Sequence, residues 1–185
     1  RLYGQSSVNI MGGTFYKNIY GGGDMAIVEF DGNATNVVIG DSADIRGSVF
    51  AGGNGRRLRP ASQAFAAGDG FTQHPELVGL VAGNANVSFA GSTQQAPFIY
   101  GDIFGGGNLA QVANDTHVNI YAGNIAGEVF GGGNGDITDG TVTSADVLGN
   151  TNVTLAQDEG GTQNVGHGPI DDSFSINVIW FKMWD

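Results

Sequence analysis

The stretch Val129-Phe130-Gly131-Gly132-Gly133-Asn134 decides the fold of this chain, because the same phrase recurs along it. Each copy has an aliphatic residue, an aromatic residue, three small residues and an Asn or Asp. The other copies are Ile19–Asp24, Val49–Asn54 and Ile103–Asn108. Repeats of this kind are typical of solenoids, arrays and propellers, in which each unit buries its apolar face against its neighbours.

A β-rich segment precedes every copy of the phrase. These segments are Val8–Ile10, Val37–Ile39, Val87–Phe89 and Val118–Ile120, and a fifth, Val153–Leu155, is followed by a degraded corner at 166–168. The shortest repeat holds three apolar runs, Leu109–Val112, His117–Tyr121 and Ile125–Phe130, separated by turn residues. Such short runs with period-two alternation indicate strands. The sequence therefore predicts an all-β fold, a single-stranded right-handed parallel β-solenoid (β-helix) of about five three-strand coils.

Stacked coils would place equivalent apolar residues above one another at a spacing of about 4.8 Å. The first wall is predicted to hold the columns Val8, Val37, Val87, Val118, Val153 and Ile10, Ile39, Phe89, Ile120, Leu155. A second wall is predicted to hold Phe15, Ile45, Ile99, Ile125 and Ile19, Val49, Ile103, Val129.

The small residues of the phrase are interpreted as structural corners, because a coil corner needs positive φ and close backbone approach. The corner residues are Gly21, Gly22, Gly23, Asp24, Gly52, Gly53, Asn54, Gly105, Gly106, Gly107, Asn108, Gly131, Gly132, Gly133 and Asn134. Stacking predicts an amide ladder through the Asn and Asp residues, and an aromatic column through Tyr20, Phe50, Phe104 and Phe130. Lys17 occupies the slot held elsewhere by Gly, which predicts a bulge or a relaxed first coil.

One domain is predicted over residues 1–185, as a segment of a longer protein, with coils at about 6–155. Insertions follow two corners at about 55–83, with a helical turn at 61–67, and at 135–149. Residues 170–185 carry both tryptophans and are interpreted as a C-terminal cap or a partner strand. Loops on one face of a repeat protein are typical binding sites. The insertion residues Arg56, Arg57 and Arg59 therefore form a candidate partner-binding loop, with an ordinary solvated loop as the alternative.

Composition excludes several classes of function. The 18 acidic and 7 basic residues give a net charge of −11, which repels nucleic acid. Cysteine is absent, which excludes disulfides, thiol catalysis and thiolate metal sites. No apolar run is long enough to predict a membrane span in this segment.

No catalytic residue is predicted, although parallel β-helices also support carbohydrate cleavage by paired carboxylates. Two pairs, Asp41 with Asp44 and Asp171 with Asp172, could each share a turn. No stacked set of Asp, Arg and His accompanies them.

No cofactor is predicted, and calcium is the one metal alternative. The stretch Gly132–Asp136 is similar to the repeat of calcium-loaded β-rolls, but its Asp comes one place early and the motif is not tandem. A calcium site would be an isolated loop around Asp136 and Asp139. The histidines, His74, His117 and His167, lack metal-ligand spacing.

Four Asn-x-Ser/Thr triplets begin at Asn33, Asn86, Asn114 and Asn152. They are candidate glycan acceptors in a secreted eukaryotic protein. Their positions before the first strand of each repeat favour turn chemistry instead.

The corner phrases, with openings such as Thr116–Ile120, resemble the Gly/Asn-rich repeats of large bacterial surface proteins of the adhesin and autotransporter-passenger kind, common in the Bacteroidetes group. The resemblance covers about residues 6–155. It implies an extracellular parallel β-solenoid with adhesive or structural duties, and no catalytic residues.

The predicted function is a non-catalytic extracellular or cell-surface module that serves as a stalk, an adhesin or an assembly unit. Its predicted partners are protein or glycan on a surface, with a homo-oligomer or filament as a further form of assembly. A carbohydrate-binding or carbohydrate-cleaving β-helix and a phage-type spike or fibre segment are the alternatives.

Overall fold

The structure is a computed structural model. The residues that it describes contain fourteen strands and no helix. These residues are 1–57, 78–90, 96–138, 140–155 and, for the backbone only, 163–165. The strands are β1 (Ser6–Phe15), β2 (Ile19–Tyr20), β3 (Asn33–Ile45), β4 (Val49–Phe50), β5 (Asn84–Phe89), β6 (Phe98–Ile99), β7 (Ile103–Phe104), β8 (Thr116–Ile120), β9 (Gly123–Ile125), β10 (Val129–Phe130), β11 (Asp136–Thr138), β12 (Thr141–Thr143), β13 (Thr151–Leu155) and β14 (Gln163–Val165). Within these ranges, nothing helical is long and apolar enough to cross a membrane.

The largest sheet is parallel and curled. Its order is β13-β8-β5-β3-β6-β9-β14, and β1 pairs with β3. The sheet curls at β3, because the first part of this strand pairs with β5 while its last two residues, Asp44 and Ile45, pair with β6. The register between β1 and β3 shifts by one residue at this bend, next to Asp41 with its positive φ of 47°. Such a bulge bends a strand and so directs the chain into the next wall.

The predicted columns of the first wall are confirmed. Val37 pairs in parallel register with Val8 and Val87, and Val118 pairs with Val87 and Val153. Phe89 pairs in the same way with Ile39 and Ile120. Central members of these columns are fully buried, whereas Leu155, at one end, is 37% exposed. Burial of like side chains on one another therefore holds the wall together, at roughly 1.5–3 kcal/mol for each fully buried side chain.

The two predicted columns of the second wall are confirmed, and Phe15 pairs with Ile45 as expected. Their placement in one wall is wrong, because the two columns lie in different sheets. Ile45, Ile99 and Ile125 form a buried column of the large curled sheet. The other column belongs to a separate four-stranded parallel sheet of order β10-β7-β4-β2, and its members are Ile19, Val49, Ile103 and Val129. The chain turns between the two columns at the slot of Gly47, which separates β3 from β4.

The apolar runs of the repeat also divide differently from the prediction. Ile125–Phe130 is not one strand, since β9 ends at Ile125 and β10 begins at Val129. Leu109–Val112 contributes a single bridge residue, because Leu109 has a positive φ of 53° and breaks the extended backbone. The bridged column runs through Leu2, Val28, Val81, Val112 and Val147. Val81 and Val147 thus join this column close to the predicted ends of the two insertions.

Two buried threonines satisfy carbonyl groups at the corners. Thr35 Oγ1 donates to the Ala51 carbonyl at 2.7 Å, and Thr116 Oγ1 donates to the Gly131 carbonyl at 2.6 Å. Both threonines are 0% exposed. A buried carbonyl without a donor costs free energy, so these hydroxyls stabilise the corners from inside the core.

Replacing Thr116 by Val should therefore lower the free energy of unfolding by about 1–3 kcal/mol, because the shape is kept and the Gly131 carbonyl loses its donor. Chemical denaturation measures this loss. Thr151→Val is the control, since Thr151 follows Thr116 in the same row but is exposed. Equal stability of T116V and the wild type would contradict the role of the hydroxyl.

Three predictions concern segments outside the described residues. They are the helical turn at 61–67, the degraded corner at 166–168 and the cap or partner strand at 170–185.

Candidate functional site

The amide ladder expected at the corners is present. Asn134 Nδ2 donates to Asn108 Oδ1 at 2.9 Å, Asn108 Nδ2 donates to Asn54 Oδ1 at 2.8 Å, and Asn54 Nδ2 donates to Asp24 Oδ1 at 2.8 Å. The four backbones are joined by parallel bridges as well. Every amide therefore points the same way, and the chain of bonds ends on the Asp24 carboxyl group. We refer to these four residues as the corner ladder.

The aromatic column is formed by the residues that precede the three small residues of each corner. The rings of Tyr20, Phe50, Phe104 and Phe130 stack with centroid separations of 5.0, 4.8 and 4.9 Å. Their planes differ by 12° at most. This spacing matches the distance between paired strands, so the rings stack because their backbones do.

Replacing Asn108 by Ala should lower the free energy of unfolding by about 1–3 kcal/mol, because it removes two ladder bonds and leaves Asn54 without its donor. Asn134→Ala removes one ladder bond and should cost roughly half as much. Chemical denaturation of both variants under the same conditions measures the ratio of their losses in unfolding free energy. Equal effects, or none, would mean that the ladder contributes little.

Two more polar ladders follow the other corners, and neither is predicted from the sequence. In one, the backbone N–H of Ser48 donates to Asn18 Oδ1 and that of Asp102 donates to Ser48 Oγ, at 2.9 and 3.1 Å. The N–H of Glu128 in turn donates to Asp102 Oδ1 at 2.9 Å. In the other, Asn84 Oδ1 accepts from Asp115 N and Asp115 Oδ1 accepts from Asn150 N, at 3.2 and 2.7 Å. Mixed Asn, Ser and Asp side chains do the same task here, so no single repeated letter signals these ladders.

Lys17 occupies the position that is equivalent to Gly47 and Gly101 in the following repeats, where glycine is required. A Cβ atom on Gly47 would lie 2.7 Å from the Lys17 carbonyl carbon, and one on Gly101 would lie 2.7 Å from the Gly47 carbonyl carbon. Each position thus faces the backbone of the preceding level, where one level is one passage of the chain through the sheets. Lys17 lies in the first described level and is exposed, so its side chain meets no earlier backbone. Of the two expectations for Lys17, the relaxed first level fits.

The two insertions meet at an ion pair. Arg57 Nε lies 2.9 Å from Asp136 Oδ2 and Arg57 Nη2 lies 3.5 Å from Asp136 Oδ1, and Thr138 Oγ1 also donates to Asp136 Oδ2 at 2.6 Å. Asp136 begins the antiparallel hairpin of β11 and β12, on which Ile137 and Val142 are paired and exposed. The predicted loop is therefore tied to this hairpin at Arg57. Arg59 lies outside the described residues.

The carboxylates singled out from the sequence do not form a common centre in the described part of the chain. Asp136 is already engaged by Arg57, and Asp139, Asp171 and Asp172 lie outside the described residues. Asp41 is exposed at the bend of β3, while Asp44 pairs with Arg46. No group of three or more His, Asp or Glu side chains that could hold a metal ion occurs among the residues described. His117 faces outward on β8, and His74 and His167 are not described.

The four Asn-x-Ser/Thr asparagines all hydrogen-bond within the chain. Asn86 Nδ2, for example, donates to the Thr35 carbonyl at 3.0 Å. The remaining bonds are Asn84 Nδ2 to Asn33 Oδ1, Asn114 Nδ2 to Asp31 Oδ1 and Asn152 Nδ2 to the Thr116 carbonyl. The expectation that all four precede the first strand is wrong, because Asn86 and Asn152 lie within β5 and β13 and Asn33 is the first residue of β3. Alternation lets their side chains face outward from inside a strand.

A scan against protein-family models, a search of the curated proteins and a search of the solved structures each returned no match.

Proposed function

We propose that the chain is a non-catalytic β-solenoid module of an extracellular or cell-surface protein, in which about five coils form a stiff spacer and the inserted loops offer contact surface. The carrying observation is the parallel, in-register pairing of equivalent residues, as in the column of Val37, Val87 and Val118. A unit that stacks on its own repeat extends one core without disulfides. Such an architecture suits the stalk and adhesin duties that the resemblance to bacterial surface repeats implies.

Most of the polar residues named above already have structural partners within the chain. The ladder asparagines and the corner glycines support the backbone, and Asp44 and Asp136 are committed to arginines. These commitments favour a structural role over hydrolysis by paired carboxylates. The hairpin with exposed Ile137 and Val142, tied to Arg57, is the proposed contact surface for a protein partner.

Surface labelling tests the assignment to the cell exterior. Antibodies raised against the recombinant chain should label intact cells of the source organism, and brief protease treatment of these cells should remove the signal. Labelling only after permeabilisation would contradict the proposal. Sedimentation velocity of the recombinant chain tests the alternative of a fibre segment, for which a three-chain particle is expected.

A further inference from the structure

A group of aromatic and charged side chains lies together on the outer face of the curled sheet, and the proposed spacer function does not use it. Ile45, Ile99 and Ile125 point inward and are 0% exposed, so the residues on either side of them point outward. The outward residues of β3, β6 and the chain beside them include Asp44, Arg46, Phe98 and Tyr100, and Tyr16 follows β1 in the next position. We refer to these five residues as the tyrosine–arginine face.

Backbone hydrogen bonds set the order of this face. Arg46 N donates to the Phe15 carbonyl at 2.7 Å, which places Arg46 beside Tyr16. Tyr100 N donates to the Ile45 carbonyl at 2.9 Å, which places Tyr100 beside Arg46. Tyr16, Arg46 and Tyr100 thus occupy three successive levels, and the two tyrosines are separated by about 10 Å, twice the strand spacing.

Side-chain contacts hold most of the face in place. The Arg46 guanidinium lies 4.1 Å from the centre of the Tyr100 ring, and Arg46 Nη2 donates to Asp44 Oδ2 at 2.7 Å. The Phe98 and Tyr100 rings are tilted by 45° with centroids 4.5 Å apart. A face that is already ordered loses little side-chain entropy when a ligand binds.

The remaining groups offer both apolar surface and hydrogen-bonding capacity. The Tyr16 side chain is 77% exposed and Tyr100 is 42% exposed. The Asp44 Oδ1 atom is shielded from solvent and has no hydrogen-bond partner among the described residues. The oxygen of Asp44 that a ligand can reach is therefore Oδ2, which accepts from Arg46 and can accept a further hydrogen bond. Arg46 adds further N–H donors, since a guanidinium carries five.

Charge and size together select the class of ligand. The Asp44–Arg46 pair is formally neutral, and a net charge of −11 repels polyanions from the surface around it. Five side chains are far fewer than the roughly 20–30 residues per partner in a stable protein interface. A neutral sugar chain fits instead, because each ring has an apolar face for an aromatic side chain and hydroxyl groups that donate and accept.

We propose that the tyrosine–arginine face binds a neutral oligosaccharide, with the Tyr16 ring against one sugar and Asp44 and Arg46 bonded to hydroxyl groups of its neighbour. The sugar chain runs along the stack, since Tyr16 and Tyr100 are about two linked sugar rings apart. This inference does not depend on the spacer function, which would stand if no sugar bound.

The test uses the full 185-residue chain and a panel of neutral gluco-, manno- and galacto-oligosaccharides, with uronic acid oligosaccharides for comparison. An array identifies the preferred neutral sugar, and calorimetry measures its affinity. Tyr16→Ala should weaken binding about tenfold through loss of the ring contact. Asp44→Asn keeps the shape of the side chain and should also weaken binding.

Tyr3→Ala is the matched control, because Tyr3 is 72% exposed but lies before β1, away from this face. Its affinity should equal that of the wild type, and circular dichroism should show that all three variants remain folded. Absence of binding to any neutral sugar at millimolar concentration would overturn the proposal. Equal affinities of Y16A and Y3A, or preference for the uronic acid series, would overturn it as well.

Discussion

Gly106→Ala is expected to destabilise the protein by at least about 3 kcal/mol, with a fall in the melting temperature of about 6–12 °C. A Cβ atom at Gly106 would lie 2.6 Å from Gly133 N and 2.7 Å from Gly133 Cα. The obstacle is backbone of the next level, which cannot rotate away as a side chain could. The methyl group would therefore force apart two levels that are joined by hydrogen bonds.

Gly132→Ala is the control, because Gly132 occupies the same slot one level later. A Cβ atom there meets nothing within 4 Å among the residues that the structure describes. G132A should keep the melting temperature of the wild type within about 2 °C, as expected for a substitution that touches nothing. Equal melting temperatures for G106A and G132A would show that close backbone stacking does not explain the glycine at position 106.

Phe89→Ala is expected to cost about 3–5 kcal/mol, the range for removing a buried aromatic side chain and leaving a cavity. Phe89 is 0% exposed and pairs on both sides with aliphatic residues, Ile39 and Ile120. Neighbours fixed in paired strands cannot collapse into the space. Thermal melting followed by circular dichroism measures the loss.

Leu155→Ala provides the comparison within the same column. Leu155 pairs with Ile120 but is 37% exposed, so less apolar surface is lost when it is truncated. The expected cost is below about 1.5 kcal/mol. Similar costs for F89A and L155A would contradict a core that runs through the centre of the stack.

Much of the fold could be predicted because its central elements repeat in register. The columns through Val37 and Phe89 and the corner ladder follow directly from aligning the phrases, since parallel stacking places equivalent residues side by side. The separation of Ile45 from Val49 into two sheets could not be found in this way. It depends on a bulge near Asp41 and on a turn at Gly47, and neither changes the spacing of the apolar residues.

The candidate binding features were harder to predict. Arg57 and Asp136 are distant in sequence and belong to insertions that no repeat aligns. Tyr16, Arg46 and Tyr100 occupy equivalent outward positions, but an arginine separates the two tyrosines, so this row gives no periodic signal. Inward residues are alike from repeat to repeat because they pack on one another in the core. Outward residues have no such constraint, so the sequence repeat does not reveal the surface that is available for binding.

Nuclear Overhauser effects in isotopically labelled protein test the stacked parallel arrangement most directly. The account predicts backbone contacts joining Val37 to Val87 and Val87 to Val118, together with contacts from the Asn108 side-chain amide to those of Asn54 and Asn134. Contacts that instead pair these valines with nearby residues in antiparallel hairpins would contradict it.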